Sequence, residues 1–214
     1  MKNPTNFSQT RFINRTVLFV LITTTVQLLS INWVSHWQMD QNNLTPSYDL
    51  PHQFAQAIKK GDERRVSQLL SQGVNPNLRV DLSETQMNCL VDPAPITVLM
   101  LAIRWNKPKI VSLLVNGGAN ISGKTDYGRN ALHEASAGGK VNLLRFLLEK
   151  GGAINSQDQA GETPLMLALS NASFECASLL LARGANPKIK TIFGTSPNNL
   201  LATMTKQERQ LLHL

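Results

Sequence analysis

The sequence predicts an all-α solenoid of stacked helical repeats, and three observations carry that prediction. A unit recurs every 33 residues: Gly128-Arg129-Asn130-Ala131-Leu132-His133-Glu134-Ala135 opens one copy, Gly161-Glu162-Thr163-Pro164-Leu165-Met166-Leu167-Ala168 the next, and Gly194-Thr195-Ser196-Pro197 a third. Full copies close alike, in Leu147-Leu148-Glu149-Lys150-Gly151-Gly152-Ala153-Ile154-Asn155 and in Leu180-Leu181-Ala182-Arg183-Gly184-Ala185-Asn186. Each opening also carries a helix-start signal. A fixed period of this length means units that bury their apolar faces against their neighbours, and the usual work of such stacks is holding a partner rather than catalysis.

Within one unit the elements follow in order. Thr163 suits a helix N-cap, its hydroxyl accepting from a backbone N–H one turn in, and Pro164 follows at the first helical position, where its missing N–H costs nothing. Asn130 and Ala131 take those places one period earlier, Ser196 and Pro197 one period later. Leu165 and Ala168 face the core from the first helix, Leu179 and Leu180 from the second. Gly151 and Gly184 suit the left-handed residue that ends a helix, and Gly128 and Gly161 the turn of a projecting hairpin.

The unit resembles the ankyrin repeat, whose signature runs G-x-T-P-L-H-x-A, then a leucine-rich second helix, then G-A-D. The resemblance covers roughly residues 48–214 and is most specific in the two copies that start at Gly128 and Gly161. Counting back one period from Gly128 reaches Pro95 and brings Thr97, Leu99, Ala102, Leu113, Leu114, Gly118, Ala119 and Asn120 into register, although Val98 and Met100 replace the proline and histidine. A degenerate first copy fits at Ala57, Gly61, Leu69, Leu70, Gly73 and Asn75. Gly73 to Gly118 is 45 residues, so about 12 extra residues sit between the first two copies, within Leu78 to Pro95. The expectation is four repeats plus a C-terminal half-repeat, with Lys206 to Leu214 as a capping helix.

Residues 1–15 form a basic segment with Lys2, Arg11 and Arg15, and no charged residue follows until Asp40. Residues 16–35 are 20 residues, enough at about 1.5 Å each to cross a hydrocarbon core of about 30 Å. Trp33 and Trp37 stand where an interfacial belt belongs, and the next lysines come only at Lys59 and Lys60. The positive-inside rule then leaves the N-terminus in the cytoplasm and exports the repeats, into the periplasm if the source is bacterial. The alternative is a cleaved signal peptide and a secreted protein. It is disfavoured because cuts after Ser30 or Ser35 place Leu28 or Trp33 at −3, and a cut after Thr25 fits only loosely. Residues 36–47 read as a polar linker.

The net charge is +7, but three of those charges are Lys2, Arg11 and Arg15, which leaves a dilute +4 from residue 40 onward. No basic cluster is interleaved with aromatics, which argues against nucleic acid. Cys89 and Cys176 lie about two repeats apart, too far for a disulfide. Gly118 to Thr125 matches the phosphate-loop pattern G-x-x-x-x-G-K-[ST] in full, yet the repeat register places it between a second helix and a hairpin, not between a strand and a helix. His133 falls at the histidine of the motif, which the resemblance implies hydrogen-bonds to neighbouring backbone. His36, His52 and His213 have no ligand-type neighbours at metal spacing. The sequence therefore offers no cofactor, metal or catalytic constellation, and no small-molecule substrate.

Ankyrin stacks usually bind other proteins through hairpin tips and the exposed face of the first helices. That resemblance assigns partner contacts to Leu101, Arg104 and Trp105 in the second repeat, Glu134 in the third, and Leu167 and Asn171 in the fourth. Lys124, Tyr127, Arg129, Asp158 and Gln159 supply them from the fingers, with Ile192 and Phe193 in the last finger. Trp and Arg are hot-spot residue types. Two bland alternatives stand beside this: Trp105 packs against the insert, and Leu167 and Phe193 extend the core.

Overall fold

The computed structural model describes residues 50–81 and 95–212. The chain divides into two units, residues 1–47 and 48–214, and all described residues lie in the second. The basic segment, the 16–35 span and the 36–47 linker therefore lie outside the described residues, as do Cys89 and most of the insert. Among the described residues no helix is long and apolar enough to cross a membrane.

Among the described residues five helix pairs follow one another. They are α1 (Leu50–Lys60) with α2 (Glu63–Ser71), α3 (Val98–Arg104) with α4 (Pro108–Asn116), and α5 (Ala131–Ala137) with α6 (Val141–Glu149). Then come α7 (Pro164–Ser170) with α8 (Phe174–Ala182), and α9 (Pro197–Thr203) with α10 (Lys206–Leu211). The expected half-repeat is thus a fifth pair, its second helix cut to six residues. The odd-numbered helices pack in file, α1 on α3 on α5 on α7 on α9; α1, α3, α5 and α7 each lie against their own even-numbered partner, and α10 lies against α8.

The helix starts follow from the caps. Thr97 Oγ1 accepts from the Met100 N–H at 3.2 Å, and Thr163 Oγ1 from Met166 at 3.4 Å. Asn130 Oδ1 accepts from the Leu132 and His133 amides. Between the two helices of a pair the chain turns through a left-handed residue: Gly61, Asn106, Gly139 and Ala172, at φ 78°, 51°, 64° and 53°. Only two of these four are glycine, so Asn106 and Ala172 each carry about 1 kcal/mol of strain that the packing on either side sustains.

The core is one register repeated. Leu99, Leu132 and Leu165 are fully buried, as are Ala102, Ala135 and Ala168 one turn later. Leu114, Leu147 and Leu180 meet them from the second helices, and Phe54, Ala57 and Leu69 take these places in the first repeat. Each leucine removed from water contributes about 2 kcal/mol. Cys176 fills an inward position of α8 at 1% exposure, and burial pushes its thiol up to about 11, so it is an inert core residue.

The insert enters through a feature the repeat register does not encode. Strand β1 (Arg79–Val80) pairs antiparallel with β2 (Ile96–Thr97), Arg79 opposite Thr97 and Val80 opposite Ile96. Val80 and Ile96 are buried at 2% and 1%. This two-residue ladder joins the described segments on either side of residues 82–94.

Candidate protein-binding surface

The fingers project between helix pairs and are built on one turn used three times. The N–H of Gly128, Gly161 and Gly194 donates to the carbonyl of Thr125, Asp158 and Thr191, closing a four-residue turn. The first and last residues of each finger also pair: Thr125 N to Arg129 O, Asp158 N to Glu162 O, Thr191 N to Thr195 O. The glycine is needed twice over at Gly128, where φ is 81° and a Cβ would come within 2.9 Å of the Gln159 nitrogen of the next finger.

Consecutive fingers are stitched by backbone and side chain. Gln159 N donates to Tyr127 O at 2.9 Å, and Ile192 N to Ala160 O at 3.0 Å. Lys124 Nζ donates to Gln157 O at 3.0 Å, and Gln157 Nε2 in turn to Lys190 O at 3.2 Å. Arg129 reaches both Asp158 and Glu162 at 3.3 Å. The solvent face of this row holds Tyr127, Ile192 and Phe193, exposed by 46%, 70% and 82%.

The first helices are more self-satisfied. Arg104 makes a two-pronged pair with Glu134, Nε to Oε1 at 2.6 Å and Nη2 to Oε2 at 3.0 Å, which ties α3 to α5. One period on, those two positions hold Ala137 and Leu167. Trp105 is half-buried against the core, with Lys59 Nζ 5.6 Å from its ring centroid. Asn171 is exposed as the residue ending α7.

Three of the expected contact residues are placed differently from the expectation. Leu101 is 1% exposed and Leu167 5%, so neither presents a surface. Each sits on a two-turn helix held between two neighbouring first helices and its own partner, and at an interaxial spacing of about 8–10 Å an apolar side chain there is covered. Asp158 is the third: only 3% of its side chain is exposed, because its Oδ1 accepts from the N–H of Ala160 and of Glu162 and its Oδ2 faces Arg129. Its side chain is engaged in building the finger. Of the paired alternatives, Leu167 extends the core and Phe193 does not.

A family model for ankyrin repeats in three copies matches residues 54–158 and 99–191, which together make up more than half of the chain. The chain belongs to the ankyrin-repeat family. Among curated relatives, the ankyrin repeat and KH domain-containing protein mask of Drosophila melanogaster is 33% identical over 103 residues, covering 47% of this chain and 3% of its own length. SH3 and multiple ankyrin repeat domains protein 1 of Homo sapiens is 31% identical over 130 residues, 60% of this chain and 6% of its own. The E3 ubiquitin-protein ligase KEG of Arabidopsis thaliana is 30% identical over 128 residues, 56% and 8%. This ankyrin chain thus spans less than a tenth of each of these relatives.

The motif histidine of the third ankyrin repeat does structural work. His133 is fully buried; its Nε2 donates to Glu162 O at 3.1 Å, and its Nδ1 accepts from the Asn130 N–H at 3.2 Å. The imidazole is therefore neutral, and burial lowers its pKa to about 4 against the raising effect of the Glu162 carbonyl. The phosphate-loop match is likewise an ankyrin finger. Ile110 to Val115 lies in α4, Thr125 is a buried finger residue accepting from the Arg129 N–H, and the next helix starts only at Ala131. Among the described residues no group of three or more His, Cys, Asp or Glu is placed to hold a metal ion. Sequence reasoning missed Lys59, Gln157 and Lys190. The signal was present for two of them: Lys124, Gln157 and Lys190 are successive long donors at one position of the 33-residue unit.

Proposed function

We propose that this chain is a non-catalytic protein-binding module, an adaptor, inhibitor or assembly partner that meets another protein through its finger row. The observation that carries the reading is the exposed line of Tyr127, Ile192 and Phe193 on a rigid, stitched set of fingers, beside a histidine and a cysteine that are both buried in structural roles. Bulky apolar and aromatic side chains on a preordered surface supply binding energy at little cost in lost motion. Membership of the ankyrin family and the modular relatives support it. The test is affinity capture by the tagged full-length protein with mass spectrometry of prey, repeated with Tyr127→Ala. A single stoichiometric protein lost by the variant supports the reading; no retained protein from any cell fraction sinks it.

The same proposal places the module at a membrane. Residues 16–35 anchor it, the basic residues 1–15 stay in the cytoplasm, and the repeats are extracytoplasmic, the basis being the uncharged 20-residue run and the charge asymmetry around it. Protein resistant to alkaline carbonate extraction, with residues 16–35 present in the recovered chain and the repeats open to external protease, is the expected result. A mature chain that begins after residue 25 in the soluble exported fraction replaces the anchor with a secreted factor acting on a distant protein.

A further inference from the structure

The finger row is an unfinished ladder, and its last member specifies what can be added. At each observed step the second turn residue of one finger donates its N–H to the third turn residue of the finger before it: Gln159 to Tyr127, then Ile192 to Ala160. A long side chain adds a second bond across the same step: Lys124 to Gln157 O, then Gln157 to Lys190 O. Carrying the register one step further, the acceptor is Phe193 O and the side-chain donor is Lys190 Nζ. Neither has a partner among the described residues, and the flanking Ile192 and Phe193 side chains are 70% and 82% exposed. An open edge with bulky apolar neighbours is a template for strand addition.

Charge selects the occupant. From Cys176 to Gln207 the chain carries Arg183, Lys188, Lys190 and Lys206 and no carboxylate. The nearest finger carboxylates are already engaged, Asp158 and Glu162 by Arg129. A second copy of this chain would bring like charges together at this edge. We infer that the edge of the Thr191–Thr195 finger takes an extended acidic peptide segment of a partner protein, whose backbone N–H bonds Phe193 O, whose carbonyl accepts from Lys190, and whose apolar side chain covers Ile192 and Phe193. The inference rests on the protein-binding reading and names the partner's chemistry at one end of it.

The probe is a displayed library of random 12-residue peptides selected on the full-length protein, with enriched peptides resynthesised and titrated by fluorescence anisotropy. The expected winners pair acidic with β-branched or aromatic residues. Phe193→Asp should raise their Kd at least tenfold, and N-methylation of one peptide amide should do the same. Lys190→Glu should weaken them while favouring peptides whose acids are exchanged for lysine. Phe193 is on the surface, so an unchanged melting temperature certifies the variant. Peptides that are not acidic, or that bind Phe193→Asp with unchanged affinity, overturn the edge assignment. So does a dimer in light scattering that Phe193→Asp dissociates, which would make a second copy the occupant. Peptides lost by Tyr127→Ala but kept by Phe193→Asp overturn this site while leaving the module reading intact.

Discussion

Gly152 shows how far a single position can depart from the pattern of its neighbours. The equivalent residues of the adjoining repeats are Ala119 and Ala185, both buried, so the register alone recommends alanine. A Cβ at Gly152, however, would collide with Leu132 Cδ1 and lie 2.9 Å from Leu147 O. Leu132 is itself fully buried and has nowhere to go. Gly152→Ala is therefore expected to destabilise by about 1–3 kcal/mol, checked by urea denaturation. His133 gives a pH dependence of definite sign. Its folded pKa of about 4 lies below the unfolded 6.5, so the unfolded chain binds the proton first. The contribution is complete above pH 6.5 and is lost as pH falls toward 4, about 2–3 kcal/mol by pH 4.5. The slope attributable to it should vanish in His133→Gln, measured by urea titrations at pH 7.5 and 4.5. The role of His133 was legible in the sequence because a motif carries it. The glycine at 152 was not, because its reason is the rotamer of a leucine 20 residues away.

At the scale of elements, the repeat register foretold the helix pairs, their caps and their turns, since each depends on residues within one or two turns of chain. It misjudged Leu101, Leu167 and Asp158, since their burial is decided by what the next repeat brings. Leu101 and Leu167 occupy the position that Glu134 holds in the third repeat, where a carboxylate stays near the surface by pairing with Arg104. An apolar side chain at that position folds into the crevice instead. Asp158 reads from sequence as a polar finger residue, yet it anchors two backbone amides and an arginine. Asp158→Ala is expected to lower stability by about 2 kcal/mol and to raise hydrogen exchange selectively at the Ala160 and Glu162 amides. Uniform exchange across the stack would show that the finger does not depend on it. The ladder of β1 and β2 was invisible to period counting for the opposite reason: it belongs to the interruption and not to the repeat.

At the scale of the molecule, a stack in which each pair touches only its neighbours is held by the sum of its steps, and its outer surfaces are free to vary. That separation explains why membership of the ankyrin family is readable from 33-residue spacing while the partner is not, since the surface residues that choose it obey no period. The central claim is that the finger row, not a buried chemical site, is where this protein works. The most direct test is quantitative affinity capture with the full-length protein, its Tyr127→Ala, Phe193→Asp double variant, and a Lys150→Ala control on the outer helices. One stoichiometric prey protein retained by the wild type and the control, and reduced at least tenfold by the double variant at equal melting temperature, is the predicted result. Equal recovery by all three proteins would contradict it.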